Sequence, residues 1–298
     1  AVQFLTDAFG YDSGGRVFNV GDHISFRFGG NDPNVVARTP DDGMDAIPKA
    51  LAARFERGGG TIRFRSQVQM IEVDADGDVQ RLRLEGGTTV ETSRTVITAP
   101  IPALRQLAST STILRTSAFA RVLDSVEGFA AMKLYLWYDR PWWRPAISGI
   151  RTTTDLPVKK VFYVDTGPDE PAALLAMYTD SAHVQDWVAL AGSASGGEPA
   201  PGPMLAEVRR ELQALHPEVG EVPEPAGSTL MHWGADPMEI GWTFWRAGHV
   251  SDEIIASVPQ PDPAVAIHLA GETFSHAQSW VEGALESAEP VIRLLTRA

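Results

Sequence analysis

The stretch Val265–Ala288, VAIHLAGETFSHAQSWVEGALESA, decides how the rest of the chain is read. Val265–Ala270 is a short apolar run ending in Gly271-Glu272, the pattern of a buried strand. Thr273–Gln278 is a polar connection. Ser279–Glu282 spells Ser-x-x-Glu, a capping box. It predicts a helix that starts at Trp280 and runs through Ala284, Leu285, Ala288, Ile292 and Leu295. A strand, a carboxylate, a short loop and a helix N-terminus together make an anion-binding corner, because the unpaired N–H groups and the dipole of a helix start favour negative charge. The same pieces also describe an ordinary strand–loop–helix, so the remaining sequence has to decide.

The chain has 298 residues and 44% hydrophobic content, enough for one large domain or two smaller ones. No apolar run approaches the roughly 18 residues of a membrane helix. A formal net charge of −13, with no Lys/Arg cluster to override it, argues against a nucleic-acid binder and against attachment to an anionic membrane. The lack of cysteine excludes disulfides, thiolate nucleophiles and Cys-ligated metals. It leaves the compartment open, with the cytoplasm preferred to secretion. The first residue is Ala, and the opening AVQFLTDAFG contains no domain-starting element. This suggests a processed or split polypeptide, or more plainly a trimmed one.

Working outward, Ala1–Gly30 reads as a short helical start and a Gly-rich extended segment, and Arg38–Asp42 as a polar turn. Gly43–Arg57 places Met44, Ile47, Leu51 and Phe55 at helical spacing. Thr61–Phe64 reads as a short strand. Val68–Ala99 is a β region with hairpin signals at Asp76-Gly77 and Gly86-Gly87, followed by a helix over Ile101–Ala108. Helices are expected over Ser117–Val126, Ser181–Leu190 and Met204–Leu215. Strands are expected over Ala130–Tyr138, Val161–Asp165, Ala173–Thr179, Ser228–Trp233 and Gly241–Trp245. The fold class is α/β and α+β. Residues 117–245 read as a separate mixed sheet with helices on one face, and the outer segments as a β layer flanked by helices.

Several chemistries lack their motifs. There is no G-x-G-x-x-G, no P-loop and no G-x-S-x-G elbow. The seven histidines include no i, i+4 pair, so no metal site is expected. Asp165, Asp169 and Glu170 sit in turn contexts and read as solvated rather than as a hydrolytic pair.

Five segments, in this order, resemble the flavin-containing amine oxidases, the family of L-amino acid oxidases and amino-acid monooxygenases. GMDAIPKAL is similar to the family's Gly-Gly-Met helix start, with Asp42 in place of the first Gly. Val68 through VITAP resembles the β-meander beside the adenine half of FAD. MKLYLWYDRPWW resembles the strand that carries a lysine. ADPMEIGWTFWRAG resembles a segment lining the substrate pocket, and AGETF…SWVEGALESA resembles the C-terminal flavin motif. The family's N-terminal strand, glycine loop and helix, which bind the FAD diphosphate, have no counterpart. The resemblance implies the C-terminal part of a two-domain flavin amine oxidase fold. Residues 1–110 would be part of the FAD-binding domain plus an N-terminal substrate-domain segment, 111–250 a mixed-sheet substrate domain, and 251–298 a return to the FAD-binding domain.

Residue roles follow from the same resemblance. Gly271 and Glu272 would hold the flavin end, Glu272 accepting a ribityl or ribose hydroxyl. The N–H groups of Trp280 and Val281 would face the flavin edge that gains negative charge on reduction. Val68, Ala99 and Pro100 would pack on the adenine side. The Trp280 and Trp242 side chains would wall the substrate amine, and the Gly241 carbonyl would accept its hydrogen bond. Lys133, mid-strand between Met132 and Leu134, would hold a water near the flavin; its alternative is an outward-pointing residue of an alternating strand. Each of the others has core packing as its plain alternative. Glu282 is expected only to cap the helix.

The expected function is the larger subunit of a two-chain FAD-dependent L-amino acid oxidase. It would turn an amino acid and dioxygen into a keto acid, ammonia and hydrogen peroxide. A second polypeptide, from cleavage or another gene, would supply the glycine loop in a hetero-oligomer such as α2β2. The alternatives are an amino-acid 2-monooxygenase, another amine oxidase, a non-catalytic scaffold subunit of a flavoprotein, or an inactive fragment.

Overall fold

The computed structural model describes residues 43–147, 149–164 and 166–296. The elements expected over 1–42, and Asp165, lie outside them. Helix α1 (Ala46–Arg57) opens the described chain. The meander β1 (Val68–Val73), β2 (Gln80–Leu84) and β3 (Thr89–Thr92) follows, then β4 (Thr95–Ile97), α2 (Ile101–Thr110), α3 (Ser117–Asp124) and β5 (Val126–Phe129). The middle of the chain forms β6 (Ala131–Tyr138), β7 (Arg151–Thr153), β8 (Lys160–Val164), β9 (Ala172–Asp180), α4 (Gln185–Ala191), α5 (Gly202–Leu215) and β10 (Gly227–Trp233). The return comprises β11 (Trp242–Trp245), α6 (Ser251–Ser257), β12 (Ile267–Leu269) and α7 (Val281–Thr296).

Two apolar clusters hold these elements together. The first gathers Ile71, Ile97, Ile101, Phe119, Trp245 and Phe274, so it joins the meander to the C-terminal return. Phe119, Val122 and Val126 pack in this cluster, although residues 111–250 read as one substrate unit. Gln80 ties its layers together: the buried side chain donates to Ala266 O at 2.9 Å and accepts from Thr95 Oγ1. β4 and β12 pair in parallel, Thr95 beside Ile267 and Ile97 beside Leu269. Among the described residues this is a sheet of two strands.

The second cluster lies under the sheet β10-β6-β9-β8-β7. β6 alternates, with Met132, Leu134 and Leu136 turned onto the buried faces of α4 and α5, and Lys133, Tyr135 and Trp137 on the opposite face. This sheet was expected to be mixed. Among the described residues every pairing between its strands is antiparallel. The connections from β7 to β8 to β9 are too short for the crossover that parallel neighbours need. β11 also leaves this sheet and pairs with β5, Trp242 opposite Phe129 and Trp245 opposite Val126.

Two local expectations fail. Residues 61–64 form no strand: Arg65 turns the chain at φ 53°, and Phe64 is exposed. Helix α1 forms as its spacing predicts, but no residue of it is buried. Met44, Ile47, Leu51 and Phe55 lie exposed. No described helix is long and apolar enough to cross a membrane.

Candidate active site

The site is built around Glu272. The chain leaves β12 and turns at Gly271, whose φ of 126° is open to glycine; the Gly271 N–H donates to Ser287 Oγ of α7 at 2.8 Å. The Glu272 carboxylate then accepts the Ser279 N–H at 2.6 Å. It also accepts from the Thr243 hydroxyl, at 3.2 Å to one oxygen and 3.3 Å to the other. Ser279 adjoins Trp280 and Thr243 adjoins Trp242, so one carboxylate draws the two tryptophan-bearing segments together. Gln278 adds a second tie, accepting the Trp245 N–H at 3.1 Å and donating to Thr273 O at 2.6 Å. Burial raises the Glu272 carboxyl pKa, while hydrogen bonds from Ser279, Thr243 and Thr273 pull it back.

This geometry replaces the expected capping box. The Ser279 N–H, which Glu282 would bind in that motif, goes to Glu272 instead, and Ser279 takes a left-handed φ of 73°. The helix therefore begins one residue late, at Val281. The Trp280 N–H donates to Ala277 O at 3.3 Å. The Trp280 side chain is 63% exposed, whereas that of Trp242 is 8% exposed.

Gly241 enters β11 against β5 and β6. Its N–H donates to Phe129 O at 2.9 Å, and an added Cβ would meet Ala131 Cβ at 2.5 Å. Lys133 lies half-buried on the sheet face away from the core. Its Nζ stands 4.3 Å over the Tyr178 ring and 5.4 Å over the Trp233 ring. Burial lowers its pKa. Tyr178 meets Trp242 in a T-shaped contact with centroids 5.8 Å apart. Lys133 is thus both an outward member of an alternating strand and a partly desolvated cation. Sequence reasoning did not single out Tyr178, Trp233, Thr243 or Gln278; the Thr-x-Trp spacing of β11, which alternates faces, was the one available signal for Thr243.

Val68 and Ala99 line one open cavity of about 910 Å³, together with Leu82, Ile97, Asp236 and Met238. Pro100 follows at the start of α2. Asp236 and Met238 belong to the segment that leads into β11, so the same stretch borders this cavity and delivers Trp242. Among the described residues no group of His, Asp and Glu side chains is placed to hold a metal ion.

Residues 1–291 match the model of the flavin containing amine oxidoreductases. The chain belongs to this family. As a member it is 27% identical over 265 residues to the flavin-dependent L-tryptophan oxidase RebO of Lentzea aerocolonigenes, covering 86% of this chain and 52% of that protein. It is 25% identical over 278 residues to L-amino-acid oxidase 4 of Hebeloma cylindrosporum (86% and 43%), and 23% identical over 287 residues to aplysianin-A of Aplysia kurodai (86% and 51%). The chain spans about half the length of the curated relatives it matches. A solved putrescine oxidase variant shares the fold at a TM-score of 0.65 and 15% identity, over 86% of this chain and 53% of that one.

The amine oxidoreductase cofactor is FAD, and the residues present fit it. Parallel strands place ligands outside their carboxyl ends. β4 and β12 run parallel, and their carboxyl ends carry Ala99-Pro100 and Gly271-Glu272. A carboxylate offers about four acceptor positions; Ser279, Thr243 and Thr273 bring three donors to it, which leaves room for one cofactor hydroxyl.

Proposed function

We propose that this chain forms the flavin-end and substrate-side portion of an FAD-dependent L-amino acid oxidase, the larger subunit of a two-chain enzyme. A second polypeptide supplies the G-x-G-x-x-G phosphate loop. The observation that carries the reading is the Glu272 junction, which brings the Trp242 and Trp280 segments to one carboxylate beside the end of β12. The names of the relatives, an L-tryptophan oxidase and an L-amino-acid oxidase, support the substrate class.

Bound FAD supplies a two-electron acceptor that dioxygen regenerates with release of hydrogen peroxide. In this reading Glu272 holds a cofactor hydroxyl, the N–H group at Val281 faces the flavin while that of Trp280, expected to do the same, is taken by Ala277 O, and Val68, Ala99 and Pro100 pack beside the adenine. Trp242 and Trp280 wall the amine, exclude water from it and favour its neutral form. The Gly241 carbonyl accepts the amine hydrogen bond, and Lys133 orients a water with its remaining N–H donors. The oxidised substrate leaves as an imine, which water converts to a keto acid and ammonia.

Surfaces of the chain support a partner. Among the described residues β4 and β12 form a sheet of two strands, too few to stand alone, and Val96 of β4 is exposed. Leu51 and Phe55 of α1 and Leu285 and Ile292 of α7 are exposed as well. A strand and helix packed there would cover them.

The test is to purify the complete assembly, scan it for flavin absorbance, and measure peroxide, ammonia and keto acid against a panel of L-amino acids. Flavin absorbance with equal yields of peroxide and keto acid is expected. An assembly without a flavin band would sink the reading, and an amide product would redirect it to a monooxygenase.

A further inference from the structure

The contacts of Lys133 are unusual for a lysine inside a sheet. The register of β6 sets Tyr178 of β9 and Met231 of β10 directly beside it. Antiparallel partners present their side chains on the same face, so the Tyr178 ring is the nearest surface the ammonium meets. Nζ lies over that ring at 4.3 Å and over Trp233 at 5.4 Å, both within cation–π range. Among the described residues no hydrogen bond or ion pair accompanies these contacts. The cation is therefore held by aromatic surface alone. The same Tyr178 ring makes the T-shaped contact with Trp242.

We propose that Tyr178 is a positioning residue, which clamps the Lys133 ammonium against Trp233 and fixes it relative to the wall made by Trp242. This rests on the reading of Lys133 and Trp242 as site residues. The clamp explains how a half-buried lysine keeps one position without a carboxylate partner. A carboxylate would tie up the N–H donors, whereas an aromatic face leaves those that point away from the ring for a water. Desolvation of the ammonium, which burial brings, strengthens an attraction of this kind. Tyr178 thereby links the lysine to the substrate wall, and one ring sets both.

The experiment has two readouts, taken on the assembled, FAD-loaded protein and on Tyr178→Leu, Tyr178→Phe, Lys133→Met and the Lys133→Met/Tyr178→Leu double variant. The first is NMR of protein labelled with [13C]lysine. The chain has four lysines, Lys49, Lys133, Lys159 and Lys160, and Lys133→Met assigns the signal. Ring currents should hold the Lys133 ε-CH2 protons upfield of the exposed Lys49. Tyr178→Leu should move them towards Lys49, and Tyr178→Phe, which keeps the ring, should not. The second readout is anaerobic flavin reduction and its reoxidation by stopped flow. Lys133→Met should slow one of these more than tenfold. Tyr178→Leu should approach that loss, Tyr178→Phe should recover most of it, and the double variant should be no slower than Lys133→Met alone.

If Lys133→Met leaves both rates unchanged, the reading of Lys133 itself fails. If Lys133→Met slows the enzyme but Tyr178→Leu leaves the rates or the ε-CH2 shift in place, the clamp fails while that reading survives. Should Tyr178→Leu not fold, Trp233→Leu takes its place, and an unmoved Lys133 signal in that variant overturns the clamp.

Discussion

Replacing Glu272 tests the junction at its centre. The carboxylate accepts the Ser279 N–H at 2.6 Å and the Thr243 hydroxyl at 3.2 Å. Thr243 is 0% exposed, so water cannot replace its lost acceptor. Ser279 is exposed, so water can serve its N–H. Glu272→Ala therefore orphans the fully buried Thr243 hydroxyl and removes the longer 3.4 Å bond of the buried Thr273 hydroxyl, and should cost about 1.5–3 kcal/mol. At roughly 2–4 °C per kcal/mol for a domain this large, Tm should fall by about 3–12 °C. Glu272→Gln keeps an oxygen in place; it loses charge assistance but also the cost of burying charge, and should stay within about 1 kcal/mol of the native protein. The pH dependence has a definite sign. Burial raises the folded-state pKa of Glu272 above its unfolded value, against the opposing hydrogen bonds. The stability it contributes is then fully present below the unfolded pKa and is lost as pH rises through the folded pKa. The Tm of Glu272→Gln should thus gain on the native protein as pH rises from about 4 to 8, and lose that gain on the way down. Differential scanning fluorimetry across this range measures both effects. If Glu272→Ala melts within 1 °C of Glu272→Gln, the carboxylate does not hold the two tryptophan segments together; if the Gln variant's offset does not change with pH, burial does not raise the Glu272 pKa.

Three further substitutions probe other levels of the structure. Gly241→Ala puts a methyl 2.5 Å from Ala131 Cβ and 2.9 Å from Ala131 N; neither can swing away, so overpacking of about 1–3 kcal/mol should appear as a lower Tm, and an unchanged Tm would refute the close approach. His216 is buried and shares a 2.7 Å hydrogen bond with the Tyr163 hydroxyl. Burial depresses its pKa, with Glu218 opposing. Its contribution is present above the unfolded His pKa and lost as pH falls, so native Tm should drop more between about pH 7 and 5 than that of His216→Asn; parallel curves would contradict this. The pair Leu51→Glu and Phe55→Glu alters only exposed positions of α1 and should change the chain's own stability by no more than about 0.5 kcal/mol. If a second polypeptide covers α1 as proposed, the pair should abolish association with it in a pull-down, and intact binding would remove α1 from the proposed partner surface.

The parts of this fold that were legible in the sequence are those set by neighbours along the chain. The meander follows from alternating residues and the glycines at 77 and 87, and the Asp74 side chain closes the first hairpin by accepting the Asp78 and Val79 N–H groups. The helix of α1 was legible as a helix, but its apolar stripe gave no warning that nothing described here would cover it. Periodicity reports which face is apolar and says nothing about what lies opposite. β5 and β7 were missed because each is short, and β5 exists only through its pairing with a strand more than a hundred positions away in the chain.

The capping box fails for a related reason, and its failure is what exposes the site. Ser279 and Glu282 satisfy the local rule, yet the Ser279 N–H has a choice of two carboxylates. Glu282 could reach it only through a regular helix start. Glu272 reaches it from a 3-10 turn already fixed by the Gly271 N–H on Ser287 and by the Ser275 N–H on Glu272 O. The Thr243 hydroxyl biases the choice further, because its own acceptor must come from within the protein. A more distant, half-buried partner therefore outcompetes a near, exposed one, and the cost is a left-handed Ser279 and a shortened helix. In a chain selected only for stability the capping box would be the simpler solution. Here the local rule gives way at the point where two tryptophan segments converge on one carboxylate, the kind of local departure that the proposed ligand role of Glu272 would account for.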